Sequence, residues 1–273
     1  MHCQRAQVVW AGALLGLLLA AFACGDSDEP SGPGLSGDVT VFSAASQTDA
    51  FNEIGEAVET ANPDVGVTFQ FAGSPALRTQ LAEGARADVL ATADESNMEA
   101  ALDAGLVIDA GQPFARNQLA IIVPADNPAG IASYLDLAND GLRLVLAAEE
   151  VPAGAYARQG LEKMAQDPAA GADFAERVLA NVVSNEPNVK AVVTKVQLGE
   201  ADAGIVYATD LTPDVAEDVW LIELPDDKNV IAVYPVAVTS EAAEPEIAAA
   251  FIEFILSDTG QAVLQEHGFL RVE

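Results

Sequence analysis

Four places in the chain join a short apolar run to a helix-forming stretch through small residues, near Ser46, Ser74, Ala153 and Val189, and a fifth small-residue segment ends at Tyr207. At such a junction the first N–H groups of the helix have no acceptor within the helix, and the helix dipole sets partial positive charge beside them. Groups of this kind bind an oxyanion without any charged side chain. The chemistry these spacings offer is therefore hydrogen-bond donation to a small anion.

The segment Phe69-Gln70-Phe71-Ala72-Gly73-Ser74-Pro75-Ala76 is the sharpest of the junctions. Ser74 suits an N-cap, and Pro75 suits the first helical position, where its missing N–H is not needed and its φ is already helical. Gly73 allows a ligand to approach the backbone closely. Val41-Phe42-Ser43-Ala44-Ala45-Ser46 makes a similar strand exit, and its helix is expected to begin near Thr48 or Asp49. Each serine hydroxyl either donates to a ligand or only caps its helix. Val151-Pro152-Ala153-Gly154 and Glu186-Pro187-Asn188-Val189 place Pro and small residues ahead of two further helices, where main-chain N–H groups would serve.

The same serines raise a second chemistry, nucleophilic catalysis, with Ser46 or Ser74 attacking an ester. Such a serine needs a base, usually histidine. The chain has two histidines; His2 belongs to the leader, and His267 precedes Gly268-Phe269, where it reads as a helix terminus. The Gly-x-Ser-x-Gly pattern is absent, and catalysis is disfavoured. Arg78, Arg158 and Lys190 each fall early in a helix that follows a junction, and read as solvated charges more readily than as ligands.

The elements that must position these groups alternate. Residues 39–42, 65–71, 89–92, 119–123, 142–147, 204–207 and 231–238 are apolar or β-branched and bounded by Gly, Pro or Asp, which predicts short strands. Residues 49–60, 76–82, 98–104, 155–164, 172–180, 189–198, 247–256 and 261–266 carry apolar side chains at helical spacing. This alternation implies an α/β fold with parallel or mixed sheets wrapped by helices, in which ligands sit beyond the carboxyl ends of the strands. The small-residue junctions fall at those ends.

Lys and Arg number 12 against 42 Asp and Glu, a net charge of -30. A surface this acidic repels nucleic acid and anionic headgroups, and both drop out as partners. Arg5 precedes an apolar run over residues 8–23 that ends Ala21-Phe22-Ala23-Cys24, the pattern of a secretion signal with a lipoprotein cleavage site. Residues 1–24 are thus the expected signal segment, with Cys24 the lipidated residue of an exported, membrane-anchored protein. Residues 25–37, rich in Gly, Ser, Pro and Asp, read as a flexible tether. Cys3 and Cys24 are the only cysteines, so the mature chain has no pair for a disulfide.

Taken together, Val41-Phe42-Ser43-Ala44-Ala45-Ser46, Phe71-Ala72-Gly73-Ser74, Gly84-Ala85-Arg86-Ala87-Asp88-Val89, Val151-Pro152-Ala153-Gly154-Ala155-Tyr156-Ala157 and Gly204-Ile205-Val206-Tyr207 stand in an order and spacing that resembles the molybdate-binding proteins of ABC importers, the ModA family. The likeness runs from about Asp38 to the C-terminus. It implies a type II periplasmic binding protein of two lobes with the ligand cleft between them. It implies that Ser46 and Ser74 donate from the first lobe, Ala153 and Val189 give main-chain N–H from the second, and Tyr207 gives its phenol. Molybdenum would be held as molybdate, or tungsten as tungstate, through these residues. No cofactor and no enzymatic activity are expected, and the partner implied is an ABC permease, reached by a periplasmic or surface-anchored monomer.

Donors alone select a fully deprotonated anion, because a site without an acceptor leaves the proton of hydrogen phosphate unsatisfied. Sulfate or another small anion stays open on the residues alone, since cavity radius decides among tetrahedral dianions. Ferric iron would call on several tyrosines with carboxylate help. Of Tyr134, Tyr156, Tyr207 and Tyr234, all but Tyr207 read as core or hinge packing. Topology suggests lobe 1 over 38–118 plus 233–273 and lobe 2 over 119–232, with strands near 119–123 and 231–238 crossing as the hinge.

Overall fold

The computed structural model describes residues 35–272. The expected signal segment over 1–24, Cys24 and most of the 25–37 tether lie outside the described residues.

Nine strands form one continuous sheet: β1 (Gly37–Ala44), β2 (Val65–Ala72), β3 (Val89–Ala91), β4 (Gln112–Pro124), β5 (Leu144–Ala147), β6 (Val182–Glu186), β7 (Ala203–Tyr207), β8 (Val219–Glu223) and β9 (Ile231–Val238). Its order is β2-β1-β3-β9-β4-β7-β5-β6, with β8 also paired to β4. The pairs β1–β2, β1–β3, β5–β6 and β5–β7 are parallel, and every pair that involves β4 or β9 is antiparallel. Among the described residues eight α-helices flank the sheet: α1 (Thr48–Ala61), α2 (Ser74–Ala82), α3 (Glu95–Asp103), α4 (Pro152–Met164), α5 (Phe174–Ala180), α6 (Val189–Gln197), α7 (Pro245–Leu256) and α8 (Asp258–Glu266).

β4 is long because it serves two neighbours in succession. Residues 112–118 pair with β9, and residues 119–124 pair with β7 and β8. It therefore runs from one half of the sheet into the other. β9 does not cross: residues 231–238 pair with β3 and with the first part of β4, so the return passage is the segment 224–230 that precedes it. Strands β6 and β8 and the first part of β4, residues 112–118, are not among the strands that the sequence predicts.

Each half has its own apolar filling. In the first, Phe51 of α1 packs on Phe69, Phe114 and Phe251 with ring centroids 5.6–6.2 Å apart, and Tyr234 of β9 meets Phe114 and Phe269 edge to face. Edge-to-face pairs set the positive rim of one ring against the negative face of the next. In the second half, α4 and α6 bury Ala157, Leu161, Val192 and Val196 against the sheet. Gly204 lets α6 close on β7, since a Cβ there would stand 2.7 Å from a Val192 methyl.

Candidate functional site

The helices differ in how their first N–H groups are used. Asp94, Asn188 and Ser257 accept from the N–H of Asn97, Ala191 and Gly260 and so cap α3, α6 and α8. No side chain caps α2 or α4, both of which open with Pro in their first two positions. Ala76 and Ala155 already donate to the carbonyls of Gly73 and Val151, so the N–H groups of Ser74, Ala153 and Gly154 are those left for another acceptor. In α6 the cap reaches Ala191, which leaves Val189 and Lys190 ahead of it.

These openings converge. One cavity is lined by Ala44, Ala45, Ser46, Gly73, Ser74 and Ala93 from the first half of the sheet, and by Val151, Pro152, Ala153, Val189 and Tyr207 from the second. All five residues singled out in the sequence, Ser46, Ser74, Ala153, Val189 and Tyr207, are among them. No lining residue carries a charge. The cavity measures about 10 Å³, close to the smallest space that holds one water on that scale.

Ser74 is not the N-cap. Gly73 takes that position, Ser74 is the first helical residue, and its Oγ accepts from the N–H of Ala93 at 3.1 Å. A main-chain N–H only donates, so the hydroxyl proton of Ser74 is free to point elsewhere. Ser46 lies in a short 3-10 turn, Ala45–Gln47, that leads directly into α1, and it caps nothing. Its Oγ lies 3.2 Å from the hydroxyl of Tyr234. Tyr207 is buried, and its hydroxyl has no hydrogen-bond partner among the described residues. Burial, then the neighbouring Tyr234 and Tyr156, hold that phenol well above its ordinary pKa, so it stays a donor.

Close approach fixes the wall between the halves. A Cβ on Gly73 would run into the carbonyl of Pro187, just ahead of α6. The glycine thus admits the opposite wall, and it also lines the cavity. A Cβ on Gly154 would likewise strike the carbonyls of Ala147 and Ala148, so α4 starts hard against the end of β5.

The basic residues stand behind the lining. Lys190 Nζ is 2.8 Å from Asp49 Oδ2 of α1 and 3.7 Å from buried Asp210 Oδ1. Asp210 accepts from the N–H of Tyr207, and burial pushes its carboxyl up to about 6 although Lys190 pulls the other way. Arg158 donates to the carbonyls of Ala147 and Gly154 and to Asn185 Oδ1, bracing the start of α4. Arg78 does not line the cavity. His267 ends α8 and pairs through Nε2 with Glu53 Oε2 at 2.8 Å, in place of the carbonyl or water contact expected of it. Neither serine has it as a partner.

Tyr234 is the residue sequence reading missed. Its place in the core is as expected, but its hydroxyl reaches the cavity wall through Ser46 and accepts from Asn117 Nδ2 at 3.2 Å. Nothing in the local pattern Ala232-Val233-Tyr234-Pro235 announces this, because the contact spans 188 positions.

A sheet shared by two halves, with an uncharged donor cavity between them, is the architecture of a solute-binding protein. The family model described as bacterial extracellular solute-binding protein matches residues 39–270. The molybdate-binding protein ModA of Mycobacterium tuberculosis (strain ATCC 25618 / H37Rv) is 37% identical over 273 residues, covering 96% of this chain and 99% of its own length. By that likeness the chain belongs to the ModA family of bacterial solute-binding proteins. Among solved structures, the substrate-binding domain of a putative molybdenum ABC transporter from Clostridium difficile matches with a TM-score of 0.63 and 26% identity, covering 86% of this chain and 99% of its own. The periplasmic molybdate-binding protein of Azotobacter vinelandii shares the fold, with a TM-score of 0.72 at 18% identity, covering 86% of this chain and all of its own.

Proposed function

We propose that the protein captures molybdate or tungstate in this cavity and delivers it to an ABC importer. One observation carries the reading: Ser46, Ser74, Ala153, Val189 and Tyr207, drawn from both halves of the sheet, line one small cavity free of charged side chains. Two hydroxyls, the phenol and the uncapped helix openings supply donors, and no carboxylate supplies an acceptor. Charge-assisted hydrogen bonds of this kind are each worth about 1.5–3 kcal/mol net. The cavity's small size disfavours an amino acid or a dicarboxylate. Identity to the named ModA protein favours molybdate or tungstate over sulfate.

The ligand lies between two lobes, one made of residues 38–118 and 233–273 and the other of residues 119–232, which close on it about the passages at 119–123 and 224–230. A closed, loaded protein differs in shape from an empty one, and that difference is what a permease can read. The protein acts by binding alone, as a monomer without a cofactor, tethered outside the membrane through Cys24.

Titration calorimetry of the leaderless, ligand-stripped protein against molybdate, tungstate, sulfate and phosphate tests this. One-to-one binding of molybdate or tungstate, with sulfate weaker and phosphate weaker still, is expected. Ser74→Ala, which removes a donor and leaves the Ala93 N–H without its acceptor, should lower molybdate affinity at least tenfold. Silence with all four anions overturns the proposal.

A further inference from the structure

The hydrogen bonds behind Ser46 have a direction that the atoms themselves determine. Asn117 is fully buried, and its Oδ1 accepts from the N–H of Gln118 at 2.9 Å. Since that N–H only donates, the amide is oriented, and its Nδ2 faces Thr209 Oγ1 at 2.8 Å and the Tyr234 hydroxyl at 3.2 Å. Nδ2 has no lone pair to offer, so Tyr234 oxygen accepts from it. The phenol's one proton then needs an acceptor, because a buried O–H left without one costs free energy. Ser46 Oγ, at 3.2 Å, is the acceptor in reach. Desolvation keeps the phenol protonated far above neutral pH.

Resting on the oxyanion reading of the cavity, we infer that Asn117 and Tyr234 are positioning residues for ligand selectivity: they feed a proton into one lone pair of Ser46 Oγ and so turn the Ser46 proton away from Tyr234 and toward the cavity. Ser74, which accepts from Ala93, is committed the same way by one bond. Ser46 is committed by a relay of three side chains that starts in β4 and passes through β9. A serine so held has one lone pair occupied and presents its proton toward the cavity. The anion that suits it is one with no proton of its own, such as molybdate, tungstate or sulfate. Hydrogen phosphate meets a donor where it needs an acceptor.

Tyr234→Phe removes the relay and keeps the ring, whose edge-to-face contacts with Phe114, Tyr207 and Phe269 hold the fold. Molybdate and phosphate affinities are measured by calorimetry for the wild type, Tyr234→Phe, Ser46→Ala and the double variant, with thermal melts as the folding control. The expected result is a loss of molybdate affinity of about tenfold in Tyr234→Phe. The molybdate-to-phosphate ratio should narrow, and Tyr234→Phe should have less than a twofold further effect once Ser46 is Ala. Asn117→Asp, read at pH 8, supplies an acceptor where a donor stood. It should turn both hydroxyls around and cost more affinity than Tyr234→Phe.

Losses that multiply in the double variant, or an unchanged anion ratio, would make Tyr234 a packing residue and overturn the relay while leaving the site intact. A wild type that binds none of the oxyanions overturns the site reading and the relay together.

Discussion

Asn229 grips both polar groups of Leu119: its Oδ1 accepts from the Leu119 N–H and its Nδ2 donates to the Leu119 carbonyl, each at 2.9 Å. Leu119 is where β4 leaves β9 for β7, and Asn229 is in the strand-free segment that returns. One buried amide therefore stitches the outgoing and returning passages together. Asn229 Oδ1 also accepts from its neighbour Val230, and its own carbonyl takes the ammonium of Lys163 at 2.7 Å.

Asn229→Ala leaves two buried N–H groups and one buried carbonyl without partners. At about 1–3 kcal/mol for an unsatisfied group, with partial relief from local rearrangement, the expected loss is about 3 kcal/mol. Urea denaturation of wild type and variant measures it; a difference under about 1 kcal/mol would mean that water or another side chain replaces the amide.

Gly73→Ala should weaken anion binding more than it weakens the fold. The residue's φ of -64° is open to alanine, so the backbone carries no strain. The added methyl runs into the Pro187 carbonyl on the opposite wall and otherwise meets a Val151 methyl at ordinary contact distance. We expect at least a tenfold loss in molybdate affinity by calorimetry with a melting temperature within a few degrees of wild type. Unchanged affinity would show that the two walls part enough to admit a methyl group while still enclosing the ligand.

Asp210 predicts a pH dependence of stability. Its folded-state pKa, about 6, lies above the ordinary aspartate value of 3.8, so the unfolded chain releases this proton first as pH rises. Stability from this group is therefore greatest below pH 4 and declines between about pH 4 and 6, by about 3 kcal/mol in all. Asp210→Asn preserves an acceptor for the Tyr207 N–H and abolishes the titration. The wild-type minus variant difference in unfolding free energy, followed from pH 4 to 7, should fall by that amount; a flat difference would show that Lys190 fully compensates the buried charge.

Salt should speed capture of the anion. The net charge of -30 opposes an approaching dianion, and the cavity has no charged lining to counter it at long range. Raising ionic strength from 0.01 to 0.1 M shortens the screening length from about 30 to about 10 Å. Stopped-flow association rates should rise over that interval. Rates that drop instead would reveal a local positive path to the cavity, for which Lys190 and Arg78 are the residues to test.

The parts of this fold that sequence made legible are those dictated by local chemistry. Pro at the openings of α2 and α4, Asn188 ahead of α6 and the small residues after β1, β2 and β5 mark strand exits wherever they occur, and so the five cavity residues were within reach. β6 escaped because Val182-Val183-Ser184-Asn185-Glu186 is half polar, and its pairing with β5 includes a register shift between Leu144 and Val145. β8 follows an acidic stretch and exposes Trp220, which leaves it little burial signal. The roles of Tyr234, Asn117 and Asn229 are set by contacts across 110 or more positions. A serine's capping potential is likewise visible in sequence, but whether it caps depends on one residue of offset. Ser74 missed the cap by that margin, and its hydroxyl turned to Ala93.

The placement of β9 beside β3 has a consequence for how the chain comes to be folded. β1, β2 and β3 are made early, yet the strand that covers the open edge of β3 is residues 231–238. Until that segment arrives, β3 offers unpaired backbone groups to any passing strand. Pairing over such a separation is slow, since the loop must close before the contact rewards it. Residues 231–238 therefore act as a late clasp on strands that precede them by more than 130 positions.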